Sequence, residues 1–162
     1  MNKIDFKIIC DSREKENLNI LKTFEKHNIA YEVRALPVGD YIIQTLNGYV
    51  APVIIERKKN INEIIGNILQ KPNTGEEVNR FEKELIRASK SPNKLIVLIE
   101  ELDGYEKMLK GNYRSKVHPN AITGKLFSLK ARYGFELVFI DPKYSASFIY
   151  KTLYYDLREK LK

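Results

Sequence analysis

The chain has 162 residues, a net charge of +7 and a pI near 9.3, so residues 1–162 are expected to form a single domain. Apolar residues make up 43% and charged residues 30%, which excludes a disordered chain, and no apolar run approaches the ~20 residues of a membrane span. The one cysteine, Cys10, excludes a disulfide scaffold and a cysteine-built zinc cage. The N-terminus carries no signal-peptide core, so the simplest location is cytoplasmic, nucleoid-associated in a prokaryote or virus and nuclear in a eukaryote. The basic balance suits a polyanionic partner, because Lys and Arg replace the counterions condensed on phosphates.

In chain order, Phe6–Cys10 is a short apolar strand. Asp11 or Ser12 can cap a helix running to about Asn28, with Leu18, Leu21 and Phe24 on one face. Tyr31–Leu36 reads as a strand, and Pro37-Val38-Gly39-Asp40 turns the chain into Tyr41-Ile42-Ile43. Asn47-Gly48 marks a hairpin, and its returning strand runs from Tyr49 to Lys58. A helix from Asn60 or Asn62 to Leu69, a polar loop and a longer helix over 76–90 follow. Leu95–Glu100 is a buried strand, 103–118 a loop, and Pro119–Tyr133 a helix stopped by Gly134. Glu136–Ile140 is the last strand and 145–162 the last helix. This order predicts an α/β fold with a mixed central sheet and helices on both faces, without the glycine pattern of a dinucleotide site.

The chemistry concentrates in Gly39-Asp40 and Glu56-Arg57-Lys58. Strand alternation puts Glu56 and Lys58 on one face and Arg57 on the other. Two carboxylates and a lysine suit phosphodiester hydrolysis, with hard oxygen ligands for Mg²⁺ and a cation to steady developing charge. Register decides whether Asp40 joins them. A two-residue turn at Asn47-Gly48 pairs Asp40 with Ile55 and breaks the site. A three-residue loop, Leu46-Asn47-Gly48, pairs Asp40 with Ile54 and restores it, and so does a single bulge near Ala51-Pro52.

Asp11-Ser12-Arg13-Glu14, Leu36-Pro37-Val38-Gly39-Asp40-Tyr41 and Glu56-Arg57-Lys58 together resemble the nuclease domain of the XPF family, which includes the xeroderma pigmentosum group F nuclease, its MUS-type relatives and archaeal Hef. The resemblance covers nearly the whole chain. It implies a restriction-endonuclease-like fold and Mg²⁺-dependent cleavage of DNA, Mn²⁺ substituting, with a preference for flaps and forks met in repair and recombination. It also implies Asp40 and Glu56 as metal ligands, the Arg57 carbonyl as a further ligand and Lys58 as the catalytic lysine. Asp11 becomes a supporting acid, its alternative being an N-cap, with Arg13 and Glu14 nearby. The family's final Asp falls on Asn62, and Glu63, one residue on, is expected to point elsewhere. The tandem helix-hairpin-helix domain usual in the family is not expected within 1–162.

Candidate DNA contacts are Arg13, Lys59 and Arg80, with Arg87 on the Arg80 face of its helix, and Arg114 and Lys116 beside Lys107, Lys110, Tyr105 and Tyr113. His27 and His118 lack ligand spacing. The stripe Phe148, Ile149, Leu153, Tyr154, Leu157 and Leu161 reads as core, yet it is wide, and the resemblance implies a homodimer or heterodimer. Two alternatives stay open: a catalytically silent DNA-binding subunit, suggested by Asn62, and a restriction or mobile-element nuclease on the same fold.

Overall fold

In the computed structural model, which describes residues 3–162, six strands form one mixed sheet in the order β2-β1-β3-β4-β5-β6. The strands are β1 (Phe6–Asp11), β2 (Tyr31–Arg34), β3 (Tyr41–Thr45), β4 (Val53–Lys58), β5 (Lys94–Ile99) and β6 (Glu136–Phe139). Only β3 runs antiparallel to its neighbours; the pairs β1–β2, β4–β5 and β5–β6 are parallel. The C-terminal ends of β1, β4, β5 and β6 therefore gather at one end of the sheet.

Helices cover both faces, as the alternation of elements predicts. Helices α1 (Leu18–Lys26) and α6 (Ser145–Lys160) pack on one face, around Phe24, Ile149, Leu153 and Leu157. On the other face lie α2 (Ile61–Leu69), α3 (Arg80–Ala88), α4 (Gly104–Lys110) and α5 (Pro119–Tyr133), around Ile64, Ile68, Phe81, Leu85 and Leu126. On β4, Ile54 enters the α2–α5 core and Ile55 the α1–α6 core, so the strand's even residues share one face and its odd residues the other.

Of the two alternatives for bringing Asp40 alongside Glu56, the three-residue loop is present, and the single bulge is replaced by a two-residue irregularity. Thr45 N–H donates to Tyr49 O at 2.8 Å across the three-residue loop, and Gly48 takes φ +97°, a conformation glycine adopts at little cost. Gln44 pairs with Val50 in that register, but further on Tyr41 pairs with Ile55. Between these bridges β3 advances three residues and the returning chain five, so Ala51-Pro52 carries a two-residue irregularity. The extra pair preserves parity and moves Asp40 from beside Ile54 to beside Glu56.

Other boundaries differ from expectation. Helix α1 starts at Leu18, not at Asp11 or Ser12, because residues 12–17 wrap the end of the sheet, with Glu16 at φ +55°. Glu76–Asn79 lies outside α3. The segment 103–118 contains α4, which begins at Gly104, where a Cβ would approach Ile61 Cγ2 to 2.7 Å and Phe139 Cδ1 to 2.8 Å. The α6 stripe is mostly consumed by the core: Ile149, Leu153 and Leu157 are fully buried, and Phe148 and Tyr154 pack against them. Exposed apolar side chains on and beside α4 and α5 include Leu102, Tyr105, Leu109 and Phe127, and Leu161 at the end of the stripe is also exposed.

Candidate active site

Asp40 leads into β3 and Glu56 and Lys58 end β4, all three on the α2–α3 face of the sheet. They line a cleft of about 500 Å³ whose opposite wall carries Glu63 and Asn67 of α2 and Arg80 of α3. Asp40 is anchored twice by backbone. Its N–H donates to Ile55 O at 2.9 Å, and its carbonyl accepts from Asp11 N–H at 2.8 Å. Its Oδ2 accepts from Arg57 N–H at 2.7 Å. The Asp40 main chain is therefore fixed to both neighbouring strands, and its carboxylate to β4.

Lys58 has a side chain 6% exposed. Its Nζ lies 3.4 Å from Glu56 Oε1 and 5.1 Å from the centroid of the Phe81 ring. Phe81 enters from α3 and holds the ammonium through a cation–π contact while keeping water off its stem. Lys58 thus reaches the cleft from a dry slot, where its charge acts more strongly than it would in water.

The two carboxylates are crowded. Burial, then the charge of Glu14, pushes Asp40 up to about 7, and burial, then the charge of Asp40, pushes Glu56 up to about 8. Lys58 opposes both shifts, and Glu84 of α3 adds to that of Glu56. The charge of Asp40 raises the proton affinity of Glu56 with Lys58 as the cation beside them, and a proton or a divalent cation bound between the two carboxylates relieves that repulsion.

The donor set fits a hard divalent ion. Lys58 O accepts from Glu100 N on the β5 side, so the alternating main-chain groups of Arg57 face the β3 side, where its N–H meets Asp40. The Arg57 carbonyl is therefore available beside the Asp40 and Glu56 carboxylates. Among the described residues, no three His, Cys, Asp or Glu side chains form a metal-holding group by themselves. Two carboxylates with a main-chain oxygen and solvent is the sparse set Mg²⁺ accepts.

A model of the ERCC4 domain matches residues 10–152. The chain belongs to the ERCC4 domain family. Among solved structures, XPF from Aeropyrum pernix aligns with a TM-score of 0.66 at 20% identity, over 94% of this chain and 65% of that one. XPF from Aeropyrum pernix in complex with DNA aligns at 0.65 and 19%, over 94% and 66%. The shared fold is restriction-endonuclease-like, as the three sequence motifs implied. The chain spans about two thirds of the length of these structures. No curated protein sequence matches it significantly.

The remaining candidates separate clearly in this ERCC4 domain. Asp11 is no helix cap: its Oδ1 accepts from Leu36 N–H at 2.8 Å and its Oδ2 from Arg13 Nε at 3.0 Å, tying β1 to the segment that delivers Asp40. The Arg57 side chain points to the opposite face. There it pairs with Glu14 at 3.2 Å and Glu100 at 2.7 Å, and donates to the carbonyls of Lys15 and Glu16. Glu14 is thus a buried partner of Arg57, with its proton affinity raised by burial.

Asn62 faces away from the cleft, its Oδ1 accepting from Arg114 N–H at 2.9 Å. Glu63, expected to point elsewhere, lines the cleft, and its Oε2 accepts from Lys59 N–H at 2.8 Å. The cause is the phase of α2: Asn60 is its N-cap, accepting from Glu63 N–H at 2.9 Å, which turns position 63 and not 62 toward β4. The pairing of a capping Asn with an acid three residues later was the available signal.

Arg13, Lys59, Arg80 and Arg87 line the cleft, whereas Arg114 and Lys116 sit on the loop beyond Asn62 and do not. Lys107 and Lys110 of α4 are engaged by Glu101, Asp103 and Glu106. Tyr105 packs against Phe127 and Phe139 and is partly exposed.

Proposed function

We propose that this ERCC4 domain is a Mg²⁺-dependent DNA endonuclease, Mn²⁺ substituting. Asp40, Glu56 and the Arg57 carbonyl hold the ion, and Lys58 is the catalytic lysine. The observation that carries the reading is the convergence of two desolvated carboxylates and a buried lysine on one face at the sheet's end, inside a cleft rimmed by Arg13, Lys59, Arg80 and Arg87.

When bound, a divalent cation supplies Lewis-acid polarisation of the scissile phosphate. The protein's own residues do the rest. Lys58 presents its ammonium toward developing negative charge on a non-bridging oxygen. The arginines and Lys59 on the rim attract the flanking phosphates by their charge. Asp11 and the Arg57 N–H keep Asp40 oriented, and Glu63 fixes the chain at Lys59, directly after the catalytic lysine. Arg114 and Lys116 lie outside the cleft, so any DNA contact they make is to a more distant arm.

The substrate reading is branched DNA, such as flaps and forks, processed in repair or recombination. Support comes from the family and from the basic rim of the cleft. A second copy of the chain, or a related subunit, docks on the apolar face at Leu102, Tyr105, Leu109 and Phe127. The exposure of these four side chains on neighbouring elements supports this, because an exposed apolar patch marks a protein interface.

The test is a panel of end-labelled flap, fork, splayed-arm and plain duplex DNA incubated with Mg²⁺. Cleavage near the branch with little on duplex supports the reading. Equal cleavage of plain duplex replaces it with a restriction-type nuclease. Tight binding of branched DNA without cleavage makes the chain a silent subunit.

A further inference from the structure

A groove of about 590 Å³ lies between α1 and the 3-10 turn Pro142–Tyr144 that precedes α6, on the sheet face opposite the active site. Its rim carries Lys22 and Lys26 of α1 and, across the gap, Lys143, with Asn19 and Thr23 on its wall. Lys22 and Lys26 are four residues apart and share one side of the helix, both exposed. Neither forms an ion pair, and the neighbouring acid Glu25 is turned to the Tyr31 hydroxyl at 2.6 Å. The acid lining the groove is Asp141, 3.8 Å from Lys143. Three cations thus face one carboxylate across a groove with no part in the chemistry described above.

The groove adjoins the active-site cleft through the chain itself. Lys15 lines the cleft and Asn19 lines the groove. Four residues span at most about 14 Å, roughly the rise of four base pairs. The turn between them is rigid, because Arg57 donates to the carbonyls of Lys15 and Glu16 and Lys59 pairs with Glu16 at 2.9 Å. Lys15 is itself exposed and unpaired among the described residues. A basic track therefore leaves the cleft at Lys15, rounds the end of the sheet and continues along Lys22, Lys26 and Lys143.

We propose that this groove is a second DNA-binding site, which grips the phosphate backbone of the arm leaving the active site and fixes the direction in which that arm is held. Spaced lysines suit sequence-independent contact with phosphates, and exposed Tyr144, with Lys143 5.1 Å from its ring centroid, adds an aromatic at the end of the turn. The proposal rests on the endonuclease reading, since it takes the cleft as the place where the DNA is cut.

The test compares the wild-type chain, Lys22→Gln/Lys26→Gln/Lys143→Gln, and a control with the same charge removed elsewhere, Lys125→Gln/Lys130→Gln/Lys151→Gln. Binding to a fluorescent flap DNA is titrated in Ca²⁺ across a salt series, and cleavage in Mg²⁺ is measured on flaps with long and short duplex arms. Circular dichroism checks the fold of each variant. Three lost phosphate contacts lower the slope of log affinity against log salt by roughly 2–3 and weaken binding at low salt by roughly tenfold. The groove variant should show this and lose the advantage of the long arm, while still cutting the short-armed flap, and the control should stay near wild type. An unchanged slope in the groove variant, or an equal loss in the control, overturns the second site while leaving the nuclease in place. A wild-type chain that neither binds nor cuts any DNA overturns the endonuclease reading itself.

Discussion

Arg57 serves the active site with its backbone and the fold with its side chain. Its N–H holds Asp40 Oδ2 at 2.7 Å on one face, while its guanidinium, on the other, joins Glu14 and Glu100. Glu100 also accepts from the Ser145 hydroxyl, so one arginine connects the 14–16 segment, β4, β5 and the start of α6. Arg57→Met leaves two buried carboxylates without their cation, and the loss should be about 3–5 kcal/mol in urea unfolding. At low temperature, the folded fraction should retain metal-dependent cleavage per molecule.

The carboxylate pair sets a pH dependence of stability. Asp40 at about 7 and Glu56 at about 8 bind protons more tightly in the folded chain than the ordinary carboxylates of the unfolded one. Their contribution is full at acidic pH, below the unfolded values, and is lost as pH rises toward 8. The metal-free protein should therefore melt at lower temperature at pH 8.5 than at pH 6. Glu56→Gln should flatten that decline in a thermal-shift series, and a saturating divalent cation should reverse it in the wild type, because the ion takes the place of the protons.

Cleavage at limiting Mg²⁺ should rise through the same interval, pH 6.5 to 8.5, as the pair deprotonates. Raising Mg²⁺ should move the curve to lower pH, since metal and protons compete for the same oxygens. A profile insensitive to Mg²⁺ concentration would detach the titration from metal uptake.

Glu63 and Asn62 should behave oppositely. Glu63→Ala releases Lys59 N–H at the end of β4 and removes an acid from the cleft, lowering cleavage by roughly tenfold or more. Asn62→Ala loses its bond to Arg114 N–H, costing about 1 kcal/mol of stability with cleavage within about twofold of wild type.

The sequence made much of the candidate site's geometry legible. The alternation of Glu56, Arg57 and Lys58 and the three-residue loop with Gly48 both follow from local rules, and together they bring Asp40 to the right face. Local rules misplaced what depends on distant partners. Asp11 and Ser12 look like caps, but Leu36 and Arg13 claim Asp11, and α1 waits until Leu18. Gly104 looks like a loop residue, but it starts α4 because Ile61 and Phe139 leave no room for a side chain. Glu63 was misjudged because one residue of helix phase, fixed by Asn60, decides which side chain meets β4.

The apolar face offers its own check. Leu109→Glu/Phe127→Glu places charge on exposed positions and should leave the thermal midpoint nearly unchanged. If that face joins two copies, light scattering at tens of micromolar should show a dimer for the wild type and a monomer for the variant. A monomeric wild type at that concentration would leave the face to a different subunit.

The most direct measurement compares wild type and Asp40→Ala on an end-labelled flap, with and without Mg²⁺ or Mn²⁺. Cutting that needs the metal and disappears in the variant is the predicted result. Cutting that persists in Asp40→Ala or in chelator, or a wild type that leaves every substrate intact, would contradict the assignment of Asp40, Glu56 and Lys58 as a metal-dependent active site.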